Sequence, residues 1–257
     1  MFRNLIPELA DEFHLLAPDY PGFGNSDAPS ADKFAYSFDR LAETMRKFLQ
    51  QVGLEHFSLY MHGYGVPIGL RLAVRNPEWI DALIIQDGNA YCEGFTPVSQ
   101  PIFVYWNWRI PETEEMLRRL LTREGIRWQY IEGARHPQRI SPDAWNMDYT
   151  FLSRSGNDRI QLDLLYDYQT NVRHYPEWHE YFRSHQPPTM VLWGKNDPIF
   201  SLNGALAFKR DLPRAEIRLL DSGHFALEEE HEPIAEYVRH FLRKTVKCIR
   251  PMCVLIE

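Results

Sequence analysis

The stretch LYMHGYGVPIGLRLA, Leu59 to Ala73, decides the fold. Its first residues finish a short apolar run, FSLYM (57–61), of the kind that forms a buried strand. Its last residues open a helix over 66–76. Between them, His62, Gly63, Tyr64 and Gly65 leave space only for a tight bend. A bend from strand straight into helix strains the backbone and brings the helix close to the sheet, so it needs small residues; Gly65 and Gly69 supply them.

Outward from this bend the same rhythm repeats. Apolar, β-rich runs occur at FHLLAP (13–18), ALIIQD (82–87), TMVLWG (189–194) and EIRLLD (216–221), and all five runs read as strands buried on both faces. Between the first two strands lies SFDRLAETMRKFLQQVG, with Phe38, Leu41, Ala42, Met45, Phe48, Leu49 and Val52 at helical spacing and Gly53 as the stop. Further helices fit 203–211 and 232–243. Strand alternating with helix predicts an α/β fold, a mostly parallel sheet flanked by helices. Residues 93–186 break the rhythm, with dense aromatics, helix-forming stretches such as PETEEMLRRLLTREG and no convincing strand. The expected organisation is therefore a discontinuous core, 1–92 and 187–243, with a helical cap inserted at 93–186. The tail 244–257, KTVKCIRPMCVLIE, has no clear period and is expected to be frayed or loosely docked.

Three features at strand ends carry chemistry. The bend at 62–65 is the first, Asp197 in WGKNDPIF the second, and His224 in DSGHFALEEE the third. A tight bend, then an acid after one strand, then a histidine after the next, is the chain order nucleophile, acid, base of one hydrolase arrangement. Together with APDYPGFGNSDAP (17–29) these motifs make the chain resemble the α/β-hydrolases, and among them the cap-bearing members that include haloalkane dehalogenases and epoxide hydrolases. The resemblance runs over nearly the whole chain to about residue 243. It implies a cofactor-independent hydrolase acting on a small apolar ester, epoxide or haloalkane, with Asp197 holding the imidazole of His224 and the nucleophile mounted at position 63.

Two departures qualify the resemblance. Members whose bend resembles this one carry aspartate or serine where Gly63 stands, and glycine has no side chain with which to attack. The retained acid and base would leave an impaired enzyme or, alternatively, a non-catalytic protein that binds a small hydrophobic ligand. The resemblance also places three strands and a His-Gly loop ahead of MFRNLIPELA, as though the chain were shortened at its N-terminus. One of those strands would lie between FHLLAP and FSLYM, so these two either close up and pair directly or belong to a fragment.

Other residues compete for these roles. Asp87, ending the strand after the bend, is a rival acid. Ser26 in GFGNSDAP has the chemistry of a nucleophile but the setting of a turn or cap residue. Tyr64 offers a backbone N–H beside the bend, and Asn89 is placed at the carboxyl edge of the sheet, where this architecture binds ligands. Trp106 and Trp108, with Tyr105, Trp128, Trp145 and Trp178, either line a substrate pocket or pack the cap onto the core.

Composition sets the remaining bounds. With 257 residues, 44% hydrophobic and 25% charged, the chain has the make-up of a soluble globular protein. A formal charge of −7 argues against a nucleic-acid partner. Three scattered cysteines fit a reducing cytoplasm, and Cys248 with Cys253 lacks the partners of a metal site. No apolar run approaches the roughly 18 residues of a membrane span.

Overall fold

A computed structural model describes residues 1–246 and 253–256. Six strands, all parallel, form one sheet: β1 (His14–Leu16), β2 (Phe57–His62), β3 (Ile80–Gln86), β4 (Thr189–Gly194), β5 (Glu216–Leu220) and β6 (Cys253–Ile256). Their order in space is β1-β6-β2-β3-β4-β5. Parallel neighbours need crossovers, and helices supply them. α1 (Leu5–Leu9) precedes β1, α2 (Phe38–Gln51) joins β1 to β2, and α3 (Gly65–Arg75) joins β2 to β3. α4 (Gln100–Asn107), α5 (Pro111–Arg118), α6 (Arg123–Ile131), α7 (Pro142–Leu152) and α8 (Asn157–His185) all fall between β3 and β4. α9 (Leu202–Asp211) and α10 (Leu227–Thr245) follow β4 and β5.

Local chemistry explains these boundaries. Ser37 caps α2 by accepting the N–H of Arg40 at 3.2 Å, and Gly53, at φ +71°, turns the chain away after its last turn. α10 begins earlier than the 232–243 read from periodicity. Glu230 departs from helical geometry (φ −124°) three residues before Pro233, so the proline sits near the start of a restarted helix, where its missing N–H is tolerated.

Alternation along each central strand builds two cores. Leu59, Met61, Leu83, Ile85, Val191, Trp193 and Leu255 pack with α2 and α3 on one face. Tyr60, Ala82, Ile84, Met190, Leu192 and Val254 pack with α1 and α10 on the other. β2 and β4 are buried at every residue, as the apolar runs predict. β1 and β5 are not. They are the two edges of the sheet, β1 shrinks to three residues, and Leu219 of β5 is 37% exposed. α8 serves both regions of the molecule: Trp178 and Phe182 near its end belong to the main core.

The tail corrects two expectations. FHLLAP and FSLYM do not pair directly, and the segment after α10 is not frayed throughout. β6 stands between them, His14 to Leu16 matching Cys253 to Leu255 on one side and Ser58 to Tyr60 matching Val254 to Ile256 on the other. The physical reason is backbone hydrogen bonding. Two strands held apart inside a sheet present N–H and C=O groups that cost about 1–3 kcal/mol each when buried and unmet, and the run Cys253 to Ile256 supplies partners while Cys253, Val254 and Leu255 are buried. Cys253 is buried there, which pushes its thiol up to about 11. Cys248 lies outside the described residues. Among the described residues, no helix is long and apolar enough to cross a membrane.

Candidate active site

The bend after β2 is built as the motif predicts. β2 ends at His62, Gly63 takes φ +53°, and α3 starts at Gly65 with Tyr64 as its N-cap. Glycine adopts that left-handed conformation without the strain other residues meet. Gly88, just past β3, lets the bend sit low: a Cβ there would lie 2.2 Å from Val66. At Gly63 itself the space is open. The atom nearest to an added Cβ is Nε2 of His224, at 3.8 Å, an ordinary van der Waals contact.

His224 follows β5 and is 6% exposed. Its Nδ1–H donates to Oδ2 of Asp197 at 2.9 Å, so the ring presents the lone pair of Nε2 toward Gly63. Asp197 follows β4, and its Oδ1 accepts the N–H of Ile199 at 2.7 Å and of Phe200 at 3.2 Å. Three donors thus hold this carboxylate, which fixes the imidazole's tautomer and orientation and stabilises the ring when it takes a proton.

Asp87 does not meet the histidine. It directly follows β3 at φ +42°, its Oδ1 accepts the N–H of Gly194 at 2.7 Å, and Gln86 donates to its Oδ2 at 3.3 Å. Burial, and then the neighbouring charge of Asp197, push its carboxyl well above the usual range. The linkage sign follows. A carboxyl whose folded pKa is raised favours folding in its neutral form, so its contribution is full below the unfolded value of about 4 and is lost as pH climbs to the folded value. Asp87→Asn keeps an acceptor for Gly194 and stays neutral. The expected outcome is a urea midpoint that gains on the wild type as pH rises from about 4 toward neutrality; parallel wild-type and variant curves would show that Asp87 is not destabilised by its charge.

A cavity of about 540 Å³ opens above the bend, with Gly63, His62 and His224 in its floor. Its walls are mostly apolar, among them Phe95, Trp106, Trp128, Tyr168, Phe200 and Phe225. Of the residues singled out from sequence, Tyr64, Trp106 and Trp128 line it. Asn89 and Trp108 lie elsewhere. Asn89 is buried with its Oδ1 accepting the N–H of Tyr91 at 3.2 Å, and Trp108 is 63% exposed. Tyr105 packs on Tyr166, Trp145 on Tyr130, and Trp178 in the main core. Ser26 donates to the backbone carbonyl of Asp19 at 2.6 Å, a turn contact.

Three neighbours of the dyad escaped the sequence reading. His62 donates through Nε2 to the carbonyl of His224 at 3.0 Å, bracing the loop that carries the imidazole. Burial and the adjacent His224 ring press the pKa of His62 well down, which keeps it neutral. Its signal was its place immediately before the bend. Tyr130 of α6 stacks on Phe225, ring centroids 4.0 Å apart, and donates its hydroxyl to Asp148 of α7, whose carboxyl is raised chiefly by burial. Both line the cavity, and nothing in their spacing foretold it.

In chemical terms the floor offers a proton acceptor at Nε2, a carboxylate to stabilise the resulting charge, and the N-terminus of α3 as a donor of backbone N–H groups. It offers no side chain at position 63.

The model of the alpha/beta hydrolase fold family matches residues 1–231. The sequence is 37% identical over 242 residues to the uncharacterized hydrolase YNR064C of Saccharomyces cerevisiae, covering 93% of this chain and 83% of that one. It is 39% identical over 79 residues to a haloalkane dehalogenase of Psychrobacter cryohalolentis, 30% of this chain and 26% of that one. Among solved structures, the epoxide hydrolase CorEH superposes with a TM-score of 0.74 at 19% identity, over 95% of this chain and 86% of that chain, a likeness of fold.

Proposed function

The chain belongs to the α/β-hydrolase fold family, and from that membership we propose that it hydrolyses a small apolar organic substrate, an ester, epoxide or haloalkane, with Asp197 and His224 activating water and no covalent step through residue 63. The observation that carries this reading is a histidine held at 2.9 Å by a buried carboxylate, its Nε2 without a hydrogen-bond partner among the described residues and facing an apolar cavity. His224 takes a proton from a water molecule at the bend, Asp197 stabilises the charged ring, and the hydroxide attacks the substrate lying against Trp106 and Phe225. Tyr64 N–H supports developing negative charge on the substrate oxygen. The helices between β3 and β4 act as a cap that keeps bulk water out.

His224→Gln tests this. Water activation by a positioned base is worth about 10²- to 10⁴-fold, so hydrolysis of small activated esters and epoxides should fall by about a hundredfold or more in the variant. A folded His224→Gln protein that turns over as fast as the wild type sinks the reading.

A second reading rests on Gly63 itself. A position without a nucleophile beneath an intact apolar cavity suits a protein that holds a small hydrophobic ligand unchanged. Saturable ligand binding, with no product from the wild type and equal affinity in His224→Gln, selects that reading instead.

A further inference from the structure

We infer that Gln161, in the wall that α8 gives to the cavity, sets substrate choice by accepting a hydrogen bond from a hydroxyl or amide N–H at the far end of the substrate. The inference rests on the proposed hydrolysis for its reaction. It narrows the substrate to an elongated molecule that carries a donor at the end away from the bond being cleaved.

α8 turns Asn157, Gln161, Leu165 and Tyr168 toward the cavity, and their spacing puts all of them on one stripe of the helix. One end of the stripe reaches the bend, because the ring of Tyr168 lies 6.1 Å from that of Tyr64. Gln161 stands two turns away, about 10 Å along the axis at about 1.5 Å per residue.

Gln161 is only 6% exposed, and its neighbours decide which of its atoms faces the cavity. Nδ2 of Asn157 donates to the backbone carbonyls of Gly22 at 3.0 Å and Phe151 at 3.2 Å. Carbonyls only accept, so the amide nitrogen of Asn157 is fixed on that side and its Oδ1 is turned to Gln161. Nε2 of Gln161 then donates to this Oδ1 at 3.4 Å. Oε1 is left over, an acceptor with no hydrogen-bond partner among the described residues. It is not sealed in the packing, so it opens on the cavity, beside apolar wall residues such as Leu165 and Phe151. Water can satisfy this oxygen in the free protein. A substrate ending in an alkyl group drives that water off and leaves Oε1 unmet, whereas a hydroxyl or amide N–H replaces it. An ether or ketone end only accepts, and is refused on the same ground.

The test uses the wild-type chain and Gln161→Leu with two epoxides of equal length. One is an epoxyoctanol with the epoxide and the hydroxyl at opposite ends; the other is epoxynonane, with a methyl group in place of the hydroxyl. The wild type should prefer the epoxyoctanol by about tenfold in kcat/KM, the scale of one neutral hydrogen bond. An apolar cavity without the acceptor predicts the reverse, since the methyl group gains more from leaving water. Gln161→Leu should therefore invert the preference. Damage to packing alone would slow both epoxides together and leave their ratio unchanged. A wild type that turns over these compounds without the preference, or a preference that survives in Gln161→Leu, sinks the inference and leaves the proposed hydrolysis standing. If neither epoxide is turned over, the proposed hydrolysis fails for epoxides, and dissociation constants for the same two compounds by calorimetry decide the inference on their own. Binding of the epoxyoctanol about tenfold tighter, with the advantage lost in Gln161→Leu, upholds it; equal affinities overturn it.

Discussion

Gly63→Asp should raise turnover of haloalkanes, epoxides or activated esters by about a thousandfold, the scale on which hydrolase sites lose rate when a member of the nucleophilic group is removed. The geometry favours the gain. Apart from its chain neighbours, a Cβ at position 63 meets no described atom within 4 Å except Nε2 of His224, at 3.8 Å, and residue 63 lines the cavity. The cost is conformational. At φ +53° an L-residue gives up about 1–2 kcal/mol, and the melting temperature should drop by a few degrees. Activity rises while stability falls, and that opposition is the signature to look for. Gly63→Asn, equal in size and strain but without a carboxylate, is the control and should stay at the wild-type level. Mass spectrometry should find an alkyl adduct on the aspartate variant, because His224 must still deliver water to release it. Folded Gly63→Asp with neither adduct nor rate gain would mean that the imidazole and the bend do not share a reaction.

Val254→Asp should abolish cooperative folding. Val254 is fully buried in the middle of the sheet, between β1 and β2, and packs with the cluster that α1 and α10 share. An unpaired carboxylate there costs several kcal/mol, a large part of the roughly 5–15 kcal/mol that holds a domain together. Removing residues 247–256 should be equally severe, because β1 and β2 would then face each other across an empty slot. Leu219→Lys on the edge strand β5 makes the useful contrast: at 37% exposure it should shift stability by about 0.5 kcal/mol or less. Thermal melts of the three proteins read all of this. A Val254→Asp variant that melts with the wild type would show that the tail does not complete the sheet.

The bend was legible because strand, glycines and helix sit next to one another in the chain, so local rules suffice. Asp197 and His224 were legible for a related reason, each following a strand by a few residues. Choosing Asp197 over Asp87 was not a local question. Both carboxyls end up at the carboxyl edge of neighbouring strands, and only the path of the loops decides that one meets Nδ1 while the other turns to the N–H of Gly194. Asn89 failed as a cavity residue for the same reason: leaving β3, the chain turns it under Gly94 and Gly204. β6 was hidden by its length. Four apolar residues have no period to measure, and the pressure to form a strand comes from partners that lie far away in sequence. The wall residues Tyr130 and Asp148 belong to the helices between β3 and β4, whose aromatic content gave no way to separate those that face the cavity from those that pack.

The placement of β6 also bears on how the molecule is made. β1 and β2 leave the ribosome long before the strand that separates them, a delay of roughly 10–40 s at about 5–20 residues per second. Until then β1 lacks its one neighbour and β2, paired with β3 on one side, keeps its other edge open, a state prone to mispairing or to capture by another molecule. Synthesis of this protein should therefore lean on chaperones late, and a bulky fusion placed after residue 256 should harm its yield more than one placed before residue 1.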